Sequence, residues 1–189
     1  MKRAIKPSVD AVHQVHSLLR EKIVEHVFVG EALRALWRRG VFDVEVLRGE
    51  LDAHGYDLVM VRGAVVRHVQ FKTGVQSRPQ RVKVASALAD KPGGCVIWIQ
   101  VDNALDMKTY WWLGAEPREP LPDLGDRRDR RIARTKNGTR PLREGHRLVN
   151  GSEFRNIPTL DGVLEMLFGP LPVDVPPDLR GTDDSELAP

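Results

Sequence analysis

The chain has 189 residues, 41% of them hydrophobic, a formal net charge of +3 and a pI near 9.2. That is the profile of one domain with appendages, long enough to bury a core without staples, and no apolar run approaches the roughly 20 residues that cross a bilayer. The lone Cys95 excludes an internal disulfide, and the N-terminal stretch MKRAIKPSVDAVHQ is basic without the apolar segment of a secretory signal, so a reducing, cytoplasmic setting is expected. The charge is unevenly spread: beyond Leu171 five acidic residues face only Arg180, which leaves −4 in the tail and +7 in the body. A basic body suits a polyanion such as nucleic acid, although charge alone does not select one.

From Val9 to Gly40 apolar residues recur at helical spacing and predict one long or broken helix, ended by Gly40 after the cations Arg38 and Arg39. FDVEVLRG predicts a strand, ELDAHG a polar loop, and GYDLVM with RHVQFKTG a hairpin turning at Arg62-Gly63. SRPQRVKVASALADKPGG reads as a loop followed by a helix, stopped by Pro92 and Gly93. CVIWIQVD is the strongest strand, with Cys95 as a small buried thiol, and TYWWLG is another. In the latter, Trp111 and Trp112 must face opposite ways, so at most one can stack on a base.

This order, helix, three strands, helix, strand, strand, predicts a mixed α/β sheet with helices on its faces. Between Glu116 and Gly151 the composition turns to Pro, Gly, Arg and Asp, a long loop or partly ordered insertion. Its arginines, Arg127, Arg128, Arg130 and Arg131 among them, are either a solvated run or an arm that contacts phosphates. PTLDGVLEMLFG closes residues 1–169, the predicted domain, as a short C-terminal helix, and the acidic, Pro-rich residues 170–189 are expected to be disordered.

Chemistry concentrates on the hairpin. Side chains two apart on a strand share a face, so Gln70 and Lys72 point together while Val69 and Phe71 enter a core. The turn folds the strand that begins at Asp57 back beside them, and an Asp, a neutral amide and a Lys converge. Each alone has an ordinary role: Asp57 as a loop cap, Lys72 as a solvated strand end. His68 shares the face of Gln70 and either contacts substrate or is hydrogen-bonded at the sheet surface. His13 and His16 are three apart on a helix but lack a third metal ligand, while Glu50, Asp52 and His54 are further polar candidates near Asp57.

This constellation resembles the PD-(D/E)xK nuclease superfamily over about residues 24–101. The resemblance implies a restriction-endonuclease-like fold, whose core is a helix, a three-stranded meander, a helix and a fourth strand. It implies metal-dependent hydrolysis of phosphodiesters in nucleic acid, DNA before RNA, with Mg²⁺ or Mn²⁺ as cofactor. The helix FVGEALRALWRRG resembles the one that carries an extra Glu in this superfamily, which gives that role to Glu31 in preference to Glu25. Asp57, Gln70 and Glu31 are then the metal ligands and Lys72 the residue beside the attacking water. Two departures stand out: Gln70 replaces the commoner Glu or Asp and brings no charge, and Tyr56 stands where a Pro often precedes the Asp. The resemblance is compatible with a homodimer, since cutting both strands of a duplex commonly uses two such sites. The rival expectation is a nuclease-like fold that binds or assembles on nucleic acid without cutting it.

Overall fold

The computed structural model describes residues 15–50, 55–128 and 145–173. Helix α1 (Ser17–Arg38) buries Val24, Phe28, Ala32, Ala35 and Leu36, spaced to lie along one face. It ends as expected at Gly40, whose φ of 69° suits a residue without Cβ and lets the Val41 N–H turn back to the Leu36 carbonyl at 3.0 Å.

An antiparallel meander follows: β1 (Val44–Leu47), β2 (Leu58–Arg62) and β3 (Val65–Gly74). Arg62 pairs with Val65, so Gly63 and Ala64 form the tight loop, with Gly63 at φ 52°. The chain then leaves the sheet through β4 (Arg81–Ala85) and the single turn α2 (Ser86–Ala89), and returns as β5 (Gly94–Val101), parallel to β3. Strand β6 (Met107–Gly114) runs antiparallel to β5, and β7 (His146–Asn150), β8 (Arg155–Ile157) and α3 (Leu160–Phe168) complete the described elements. The main sheet has the order β1-β2-β3-β5-β6-β8, while β4 and β7 pair as a separate antiparallel ribbon.

The result is a mixed α/β fold with both sheet faces covered. On one face α1 and α3 pack against Leu58, Met60, Val69, Phe71, Ile97, Ile99 and Trp112. On the other, the ribbon and α2 cover Val96, Trp98 and Leu113 with Val82, Val84, Leu88 and Val149. Burial on both faces explains why β5 reads as an unbroken apolar run. Two expectations change. The stretch ahead of α2 is a strand, not a loop, with Val82 and Val84 inward and Arg81 and Lys83 outward. The end of the supposed insertion, His146–Asn150, is its partner. Residues 174–189, the expected disordered tail, lie outside the described residues. Among the described residues no helix is long and apolar enough to cross a membrane.

One buried residue runs against composition rules. Arg67, on β3, is 1% exposed and spends its guanidinium on carbonyls: Nε donates to Leu167 O at 2.9 Å, Nη2 to Met166 O at 2.7 Å and Nη1 to Ala115 O at 2.9 Å. Its carbon Cζ lies 5.5 Å from the ring centre of Trp112. The last carbonyls of a helix lack intrahelical donors and carry partial negative charge, so a cation there ties α3 to the sheet.

Candidate active site

Gly55 brings the chain into β2. Its φ is 74°, and a Cβ at this position would lie 2.2 Å from the Ala85 Cβ, so the backbone passes the end of β4 only because no side chain intervenes. Gly55→Ala is expected to cost about 1–3 kcal/mol through overpacking and left-handed strain. Urea unfolding reads this directly, and an unchanged midpoint would mean that the strand mouth has room to spare.

Two residues later the Asp57 N–H donates to the Val69 carbonyl at 2.8 Å, and its carboxylate Oδ2 accepts from the Phe71 N–H at 2.6 Å. Leu58–Val69 is the last register pair of β2 and β3 at this end, so the carboxylate substitutes for a strand partner where the two strands part. Being in the plane of the sheet, it can meet groups from both faces. Burial raises the Asp57 carboxyl pKa above its ordinary 3.8; the Phe71 N–H and the Lys72 ammonium oppose that, Glu25 adds to it and Lys22 opposes it.

Gln70 and Lys72 lie on the face away from α1, as alternation predicts. Gln70 is 6% exposed, and its Oε1 accepts from the Ala85 N–H at 3.3 Å. Lys72 is half-buried and faces the field of Asp57. The structure thus sets Lys72 within electrostatic reach of Asp57, with Gln70 on the same face of the strand as Lys72.

The helix contributes Glu25 rather than Glu31. Six residues rotate an α-helix by about 600°, which sets the two carboxylates about 120° apart around the axis and about 9 Å apart along it. Glu31 is half-buried and paired with Arg34 at 2.5 Å, in a cleft with Ile23, Val27, Leu105 and Tyr110. Its charge, after burial, helps to push the Tyr110 hydroxyl up to about 12. Glu25 is 3% exposed, and its charge acts on Asp57. Lys22 Nζ holds its Oε2 at 2.7 Å, and Arg48 Nη2 and Nε hold its Oε1 at 3.0 and 3.2 Å. A signal for it existed in the sequence: Glu25 stands beside Val24 and three residues before Phe28, a carboxylate inside an apolar stripe.

The remaining candidates divide. His68 Nδ1 donates to the Pro92 carbonyl at 2.9 Å, and its ring meets Tyr56 edge-on at 5.0 Å, which makes it a fixed surface histidine. Arg127 Nη1 donates to Asn150 Oδ1 at 2.9 Å, and its carbonyl accepts from the Leu148 N–H at 2.8 Å, so it flanks the ribbon. Arg128 is exposed. Arg130, Arg131, His13, Asp52 and His54 lie outside the described residues. Trp112 is buried in the core beneath α1 and α3, while Trp111 is half-buried against the opposite core. Cys95 is fully buried, and burial pushes its thiol up to about 12, which suits an inert core residue. Among the described residues no three His, Cys, Asp or Glu side chains gather as a metal-holding group. No protein-family model, curated protein or solved structure matches this chain.

Proposed function

We propose that this protein hydrolyses phosphodiester bonds in nucleic acid, with DNA as the first substrate to test, on a restriction-endonuclease-like core. The observation that carries the reading is Asp57: a carboxylate desolvated where two strands part, with Lys72 and Glu25 acting on it. The order of elements supports it, since a helix, a three-stranded meander, a crossover that holds β4 and a short helix, and a returning strand contain the expected helix, meander, helix and fourth strand.

A divalent cation fits the donors available. Mg²⁺ is commonly held by one or two carboxylates, waters and substrate phosphates, without a closed protein cage. Asp57 and the Gln70 Oε1 are hard oxygen donors, and a cation beside Asp57 would relieve the charge that burial disfavours. Bound there, it would neutralise charge on the phosphate oxygens. The chain's own residues do the rest. Lys72, as an ammonium, has three donors and no acceptor, so it orients the attacking water through a lone pair and stabilises the negative charge that develops on the phosphate. Glu25, held by Lys22 and Arg48, sets the potential at Asp57.

A second reading, a binding module that does not cut, is favoured by one feature: Glu25 is already closed by two cations and Gln70 by the Ala85 N–H. Lys72→Ala separates the two. It should lower cleavage by about 10²- to 10⁴-fold while calorimetric Mn²⁺ binding and nucleic-acid affinity stay near wild type. If wild type and Gln70→Glu both leave DNA and RNA uncut with Mg²⁺ or Mn²⁺, and calorimetry detects no ion, the catalytic reading falls.

A further inference from the structure

A polar cleft of about 430 Å³ opens on the sheet face shared by Gln70 and Lys72, lined by Gln76, Gln80, Arg81, Val82, Trp98 and Asn150. Its position is fixed by register. Trp98 is the Cα partner of Lys72 across the parallel pair β3 and β5, so their side chains leave the same face from strands about 4.8 Å apart. The cleft wall therefore begins one strand away from Lys72. Gly74, two residues after Lys72 and on the same face, shapes the corner: a Cβ there would lie 2.6 Å from the Gln76 Oε1 and 2.6 Å from the Trp98 Cζ2. Only glycine lets that amide and the indole edge come together.

The lining has a definite chemistry. Three amides and a guanidinium surround the opening, and among the described residues no carboxylate lines it. Arg127 adds a second guanidinium at the rim through its 2.9 Å bond to Asn150 Oδ1. Trp98 is only 4% exposed, so it is a wall and not a stacking platform. Amide side chains match the paired donor and acceptor of adenine, Arg matches the acceptors of guanine, and guanidinium groups hold phosphates. The volume lies within the range of sites for small ligands.

We propose that this cleft is the subsite for the nucleotide that flanks the scissile phosphate. The amides of Gln76, Gln80 and Asn150 face a purine base, and Arg81 and Arg127 hold its phosphate. This rests on the reading that Lys72 stands at the reacting phosphate, and it adds what that reading lacks, a preference for the base next to the cut.

Fluorescence anisotropy of the full chain with oligo(dA) and oligo(dT) in EDTA tests the cleft apart from cleavage. Wild type should prefer oligo(dA) by about fivefold or more, the effect of one good base contact. Gln76→Ala with Gln80→Ala should abolish that preference. Arg81→Ala should weaken both oligonucleotides by about fivefold or more, while Lys72→Ala leaves the preference intact. Gln76, Gln80 and Arg81 are exposed, and circular dichroism of each variant verifies the fold. If the Gln76/Gln80 and Arg81 variants bind and cut like wild type while Lys72→Ala loses cleavage, the subsite is wrong and the nuclease reading stands. If the preference depends on the cleft but no metal supports cleavage, the nuclease reading falls and the cleft remains a nucleotide site. Absence of any nucleic-acid binding overturns both.

Discussion

Asp57→Asn is expected to raise the urea-unfolding midpoint at neutral pH, by about 0.5–2 kcal/mol in stability, while reducing cleavage by about 10²-fold or more. Burial, the largest influence on Asp57, lifts its carboxyl pKa in the folded protein above the ordinary 3.8. The folded state therefore binds this proton more tightly than the unfolded chain does. Stability from this group is greatest when it is protonated and is lost as pH rises from 3.8 through the raised folded value. At neutral pH the ionised Asp57 is held at a cost. Asn keeps an oxygen for the Phe71 N–H and carries no charge, so it removes the cost and, with it, the proposed metal ligand. The gain should shrink as the pH is lowered into the range where Asp57 takes up its proton. A lower midpoint for the Asn variant at neutral pH would show that Lys72 and Lys22 more than offset burial, and the picture of a carboxylate kept charged for chemistry would fail.

Arg67→Met should be the most destabilising single change outside the site, with a loss of about 3 kcal/mol or more. Methionine roughly fills the space of the stem, but the carbonyls of Ala115, Met166 and Leu167 lose their charged donor, and each orphaned buried acceptor costs about 1–3 kcal/mol. Arg67→Lys should recover only part of the loss, because one ammonium cannot reproduce a planar fork that reaches three separate oxygens. Denaturant unfolding of the three proteins, with limited proteolysis to detect release of α3, gives the ranking. Should the Met variant lie within about 0.5 kcal/mol of wild type, α3 would be held by its buried Val163, Leu164, Leu167 and Phe168 and by the Arg39–Asp161 ion pair, without need of Arg67.

Elements that announce themselves within their own stretch were legible in the sequence: the amphipathic α1 ending at Gly40, the hairpin at Gly63, the unbroken apolar β5 and the closing α3. Strand β4 was not, because five alternating residues do not name a partner, and the partner sits beyond a stretch rich in Arg, Pro and Gly. The site divides the same way. Asp57, Gln70 and Lys72 belong to one hairpin, so alternation alone brings them into register. Glu25 depends on the rotation of α1 and on Arg48 from a different segment, which local spacing cannot supply. Arg67 was hidden by the rule that arginine faces water. Its place two residues before Val69 puts it on the core side, and its acceptors lie 48, 99 and 100 residues further along the chain, where only the folded arrangement reveals them.

The Phe71 N–H ends on Asp57 Oδ2 and not on a strand carbonyl. One backbone resonance is therefore bonded directly to the charge at the centre of the site. In a two-dimensional amide spectrum its proton shift should follow the carboxylate as it gains a proton or a cation. The protein carries in its own main chain an indicator for the group on which the proposed chemistry turns.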